Sequence, residues 1–107
     1  MTARLIAGAW SDAFDAADWY ERQAIGLGDR SLLAIDQLVD VLALQPRLFA
    51  RVSRPVRGRE IREAPVSGFP FVATYEILGT DVVILSVTHG RSIRQAWRRR
   101  WPAPPAT

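Results

Sequence analysis

FVATYEILGTDVVILSVT, residues 71–88, decides the fold. Its first eight residues are mostly aromatic and β-branched types, which suit a pleated surface packed on one side. Val82, Val83, Ile84 and Leu85 then follow without a polar interruption, as in a strand covered on both faces. Gly79, Thr80 and Asp81 separate the two runs with turn-forming residues, so the stretch reads as an antiparallel hairpin. Just upstream, REIRE (residues 59–63) alternates charged and apolar positions and supplies a third strand. The intervening EAPVSGFP (residues 63–70), with two prolines and a glycine, reads as the widest loop in the middle of the chain.

A three-stranded meander with a doubly buried member needs a covering layer, and residues 1–46 provide it. RLIA (residues 4–7) is short and alternating enough for a first strand. Ser11 is placed to cap a helix whose first turn carries Asp12 and Asp15, where exposed N–H groups favour negative charge. Ala13, Ala17, Tyr20 and Ala24 then recur at spacings of four, three and four, one stripe of an amphipathic helix. Trp19 and Tyr20 are expected in the helix–sheet interface. Gly26 and Gly28 stop this helix, and Asp29 caps a second, on which Leu32, Ile35, Leu38, Val39 and Leu42 form a wider stripe ending before Pro46. The tight glycine turn makes the two helices an antiparallel pair. The fold class is therefore α+β: a short N-terminal strand, an antiparallel helix pair, a three-stranded antiparallel meander and a short C-terminal helix. That last helix is expected after Ser92, with Ile93, Ala96 and Trp97 docked on the sheet and Arg94, Arg98, Arg99 and Arg100 pointing outward.

With 107 residues, 49% of them hydrophobic, the chain has material for one core, expected as a single domain over residues 1–101 followed by a disordered proline-rich tail, residues 102–107. The absence of cysteine excludes a disulfide framework, a thiolate nucleophile and a cysteine-based zinc site. No cofactor or metal is expected. The opening MTARLIAGAW is too short in apolar residues for a signal-peptide core, and no later run approaches a membrane span, so a cytoplasmic protein is expected. Charge is unevenly placed: residues 1–46 sum to −4 and residues 47–107 to +7. All 14 basic residues are arginine, so no lysine is present to shuttle protons.

Several weak motifs in a fixed order carry a resemblance. They are ADWYE (residues 17–21), LGDR (residues 27–30), Gln45 and Pro46 before a basic segment, GFPFVATYE (residues 68–76), and VTHGR followed by Trp97 and Arg100. From about Arg4 to Arg100 the chain resembles the RelE/ParE superfamily of toxins from bacterial type II toxin–antitoxin modules. The WYE, HGR and terminal tryptophan look most like the ParE branch. The resemblance implies a compact α+β toxin neutralised by a cognate antitoxin that wraps a segment around it. ParE-like members inhibit DNA gyrase, whereas RelE-like members cut mRNA in the ribosomal A site. Where many relatives read His-x-Arg-Arg-x-Pro-x-x-Trp, this chain keeps His89, Arg91 and Trp97 but has Ser92 and Arg94 at the second arginine and the proline.

Cutting RNA through its 2′-hydroxyl needs a base, an acid and cations to hold the developing phosphorane-like charge. Arg57, Arg59, Arg62 and Arg91 qualify for the last role if the sheet brings them to one surface. His89, Glu60, Glu63 or Tyr75 would have to transfer the protons, because the lysines that RelE uses have no counterpart. Should the chain be a ribonuclease, the expected site is His89, Arg62, Arg91 and Tyr75. The lone histidine reads first as a residue bonded at a strand end. The favoured expectation is a ParE-like gyrase inhibitor that is not an enzyme. The alternatives are a ribosome-dependent endoribonuclease and an inactive homologue retaining antitoxin binding. For contact with antitoxin or target the expected residues are Arg57, Arg59, Arg62, Arg91, Arg94, Arg98 and Trp97. No membrane partner is expected.

Overall fold

The computed structural model describes residues 1–89 and 96–100, the side chains of Ala96 and Arg99 excepted. Chain order is β1 (Thr2–Leu5), α1 (Ala7–Gln23), α2 (Leu27–Leu44), β2 (Glu60–Pro65), β3 (Phe71–Leu78), β4 (Asp81–His89) and a 3₁₀ turn (Ala96–Arg99). The sheet runs β1-β4-β3-β2. β4 pairs antiparallel with β3 and parallel with β1, which accounts for its uninterrupted apolar run. Two residues, Gly79 and Thr80, make the β3–β4 turn, with Gly79 at φ 58°, a conformation that favours glycine. Opposite Thr74 and Tyr75, β4 carries one extra residue: Thr74 faces Ser86 while Tyr75 faces Ile84. This bulge lets Ile84 and Val87 both face the helices while Leu85 joins the reverse side.

The helices cover one face of the sheet. Ala9, Ala13 and Ala17 of α1 and Ile35, Leu38 and Leu42 of α2 are buried. All of them except Ala17, which faces Gly28 of α2, pack with Phe71, Ala73, Tyr75, Ile77, Val82, Ile84 and Val87. Small alanines on α1 let it lie close to the strands. The reverse face has its own cluster, Val52, Ile61, Val83, Leu85 and Trp97, so the sheet is the middle of three layers.

Several readings of local structure need correction. α2 begins at Leu27 with Gly26 as N-cap, so Asp29 lies in its first turn and does not cap it. α1 begins at Ala7, with Ile6 as N-cap and no side-chain cap, so Ser11 lies inside the helix and the first turn has no acid. The helix starts early because β1 delivers the chain directly onto the sheet: Ile6 N–H donates to Ile84 C=O, and Ile6 C=O accepts the first helical bond, from Trp10 N–H. The segment at residues 63–70 is a tighter turn than its prolines suggest, because Glu63, Ala64 and Pro65 belong to β2. Pro65 sits at the end of an edge strand, where a missing N–H is tolerated. At the C-terminus the described element is a 3₁₀ turn of four residues. Ser92, Ile93, Arg94 and the tail at residues 102–107 lie outside the described residues.

The helix hairpin is closed by two of the motifs that carry the resemblance. Glu21 accepts hydrogen bonds from Gly26 N–H (2.9 Å) and Gly28 N–H (3.0 Å), satisfying donors at the start of α2 that lack helical partners. Gly28 is buried against α1, where an added Cβ would lie 2.6 Å from Ala17 O. ADWYE and LGDR are thus the two halves of one structural joint.

Candidate functional site

Of the expected arginines, Arg57, Arg59 and Arg62 do not share a surface. Arg57 is exposed in the loop before β2 rather than on a strand. Arg59 lies on the reverse face, where it makes a bidentate pair with Glu76: Nη2 to Oε1 at 2.6 Å and Nε to Oε2 at 3.0 Å. Both side chains are almost fully buried, at 8% and 3% exposure. Arg62 lies in register with Tyr75 on the helix-covered face and donates to Glu60 and to Phe49 C=O. Alternation along β2 places Arg62 and Ile61 on opposite faces, which separates Arg62 from the Arg59 pair. Arg47 completes the Glu60 cluster, and its bidentate bond holds the Glu60 carboxyl below the usual carboxylate range.

Trp97 is 1% exposed in the reverse-face core, as its spacing suggested, and its ring is committed there rather than to a partner. Arg98 lies 4.7 Å over that ring and Arg59 at 5.8 Å, so the indole sits among guanidinium groups. Arg98 also donates to Arg54 C=O, tying the C-terminal turn to the arginine-rich loop. Arg100, expected to point outward, turns in. It pairs with Asp12 (2.7 and 3.1 Å) and donates to Leu85 C=O (2.9 Å). Asp12 also accepts Val87 N–H at 3.0 Å. β1 ends its pairing at Ile84, so this ion pair satisfies the stretch of β4 edge that β1 leaves open. Arg47, Arg51, Arg54 and Arg57 are the exposed arginines of the loop; Arg47 is held by Glu60, and Arg51 and Arg54 belong to the basic segment that follows Gln45 and Pro46.

The proton-transfer candidates are dispersed. Tyr75 is fully buried, its hydroxyl donates to Pro46 C=O at 2.7 Å, and burial pushes its pKa up to about 12. His89 stands at the far end of β4, opposite Phe71, four positions along β3 from Tyr75 and so roughly 13 Å away. Glu63 faces Thr74 on the reverse side. His89 is exposed, and its neighbours are rings: Phe71 at 5.8 Å and Trp19 at 6.4 Å between centroids. Arg91 and Arg94 lie outside the described residues.

Trp19 corrects a further expectation. Tyr20 packs on the core edge-on to Phe69 and Phe71, but Trp19 is 51% exposed. It helps line a cavity of about 550 Å³ between α1 and the ends of β3 and β4. Trp10 and Phe14, stacked at 5.6 Å, are likewise open to solvent on α1, as is Leu33 on α2. Among the described residues no cluster of three metal-binding side chains occurs, and no helix is long and apolar enough to cross a membrane.

Comparison with known proteins places this geometry in a family. No curated protein matches the chain. Among solved structures it is similar to a chain from "Chromosomal ParDE TA system from P. aeruginosa", with a TM-score of 0.59 and 19% identity over 85% of this chain and 97% of that one. At that identity the likeness is one of fold. The family described as "ParE toxin of type II toxin-antitoxin system, parDE" matches residues 5–94, from β1 past the end of β4. The chain, with its helix hairpin laid over a four-stranded mixed sheet, belongs to the ParE toxin family of type II toxin–antitoxin systems.

Proposed function

We propose that this toxin acts in the cytoplasm by binding DNA gyrase, without chemistry of its own, and that a cognate antitoxin neutralises it by covering its surface. The observation that carries this reading over RNA cleavage is the dispersal of His89, Tyr75 and Arg62. A base and an acid must both reach one scissile phosphate, within about 3 Å of the protons they move. Here Tyr75 is buried and bonded, Arg62 is bound to Glu60, and His89 stands among aromatic rings at the other end of the sheet. A binding mode asks only for an exposed complementary surface. Arg51, Arg54 and Arg57 present one that suits an acidic patch or segment. Arg98 borders them through its bond to Arg54 C=O.

The antitoxin lies across the outer face of the helix pair, where Trp10, Phe14 and Leu33 are 44%, 52% and 56% exposed. Exposed aromatic anchors of this kind dominate protein interfaces. A supercoiling assay with purified protein tests the target. Inhibition relieved by the antitoxin is the expected result. Full gyrase activity at excess toxin, with codon-specific mRNA breaks in arrested cells, would reverse the assignment. Normal growth of cells overproducing the chain would leave only antitoxin binding. Hydrogen exchange on the toxin–antitoxin complex tests the docking face, and unchanged protection across α1 and α2 would rule it out.

A further inference from the structure

The cavity beside Trp19 is separate from the surfaces assigned above to antitoxin and target. Its apolar wall is aromatic: Trp19 and Tyr20 from α1, edge-on at 4.9 Å, with Phe71 from β3 and His89 from β4. Two carboxylates and one guanidinium also line it, Asp12, Asp15 and Arg100. Asp12 and Arg100 neutralise each other in the ion pair that closes the β4 edge. Asp15 is exposed, and among the described residues it has no ion-pair or hydrogen-bond partner. Among the described residues the site's uncompensated charge is therefore negative. Asp15 and Trp19 are four residues apart on one helix, so their Cβ atoms are neighbours at about 5–6 Å. A planar cation lying on the indole would be within reach of the carboxylate. The electron-rich faces of the rings favour the same sign of charge.

We propose that this cavity takes an arginine side chain of a partner protein, its guanidinium stacked on Trp19 and paired with Asp15. Guanidinium fits better than ammonium because it is planar, stacks on aromatic faces and meets a carboxylate through two parallel N–H bonds. Ala16 and Phe71 also line the cavity and offer apolar surface to the aliphatic stem. This inference is independent of whether gyrase is the target.

N-acetyl-arginine N-methylamide is the probe, followed through the Trp19 indole N–H and His89 ring signals by NMR on the whole chain. The citrulline analogue, of the same shape and without charge, is the control. Saturable shifts with a dissociation constant of about millimolar size are expected for arginine and none for citrulline. Asp15→Asn, at an exposed position that leaves the fold intact, should weaken binding about two- to fivefold, the size of an exposed ion pair. Trp19→Leu should weaken it about tenfold. Equal binding of citrulline, unaltered affinity in Asp15→Asn, or preference for an aspartate analogue drawn to Arg100 and His89 would each overturn the proposal.

Discussion

Replacing Arg59 with methionine is the sharpest test of how the reverse face is held. The substitution keeps a long apolar stem but leaves Glu76, 3% exposed, without the bidentate cation that faces it at 2.6 and 3.0 Å. Removing one member of such a pair costs about 3–5 kcal/mol, because the remaining charge stays desolvated. Loss of the guanidinium over Trp97, 5.8 Å from the ring centroid, adds a smaller deficit of about 0.5–1 kcal/mol. A chain of this size has about 5–15 kcal/mol of stability in total, so Arg59→Met should lower the melting temperature by roughly 15–25 °C. The double variant Arg59→Met with Glu76→Met removes both charges and replaces them with apolar volume, and it should recover most of the loss. Urea unfolding of the wild type, both single variants and the double variant gives the coupling energy directly. Additive single effects, or a cost for Arg59→Met near that of a surface substitution, would refute the claim that the pair is a buried, mutually dependent unit. They would also return Arg59 to the pool of cations facing a partner.

Other consequences follow from the same geometry. Glu21→Ala strips Gly26 and Gly28 N–H of their acceptor and should cost about 1–2 kcal/mol in thermal unfolding, as a lost helix cap does. Gly28→Ala should destabilise even though alanine favours helix by about 1 kcal/mol, because the new Cβ would meet Ala17 O at 2.6 Å and push the helices apart. A rise in melting temperature in that variant would show the joint to be looser than its geometry. Trp97→Ala should cost about 3–5 kcal/mol and raise protease cleavage in the loop containing Arg54, whose carbonyl Arg98 holds. Tyr75 should resist ionisation until about pH 12, because burial disfavours its anion. Between about pH 10 and pH 12 the unfolded chain therefore binds fewer protons than the native one, and stability falls through that window. Ultraviolet titration of wild type against Tyr75→Phe checks it, and ionisation of Tyr75 near pH 10 would contradict the burial.

Local chemistry was legible where it acts between neighbours. The β3 limits agree with the aromatic and β-branched run, and β4 extends that reading by one residue at each end. The stripe Leu32 to Leu42 identified the buried side of α2, and Pro46 marked its end. The start of α1 escaped because Ser11 carries the chemistry of a cap while the true start is set by Ile6 bonding to Ile84, on the last strand. Trp19 escaped for a related reason: an apolar stripe shows which face of a helix is buried but not how wide that face is, and α1 is narrow because its contacts are alanines. The arginine pairs join residues 17 and 88 positions apart, beyond the reach of any periodicity. One signal was available. Glu76 is the one charged residue of a buried, central strand, and a carboxylate there requires a cation from a neighbouring strand or the segment leading into it. Arg59, which immediately precedes β2 and lies two residues before Ile61, the register partner of Glu76, meets that requirement.

The uneven charge of the sequence therefore resolves into two uses of the same residue type. Arg59, Arg62 and Arg100 are internal fasteners, each bound to a carboxylate and placed where the sheet would otherwise have unsatisfied polar groups or an open strand edge. Arg100 joins the C-terminus to α1 and to Leu85 C=O, and Arg98 joins it to the loop at Arg54. The C-terminal turn, anchored by Trp97, thus fixes the platform from which Arg51, Arg54 and Arg57 face solvent. Arginine suits both tasks because its charge persists under burial, while its planar fork matches a carboxylate inside the fold and an acidic partner outside it. A lysine in the first role would lose its bidentate geometry, and a histidine its charge. Among the described residues the exposed loop and the aromatic cavity are separate surfaces of opposite sign, so on the proposed reading the loop suits an acidic segment and the cavity a basic side chain. A partner engaging both would have to carry charges of both signs at a set separation, which restricts the choice of partner more than either surface would alone.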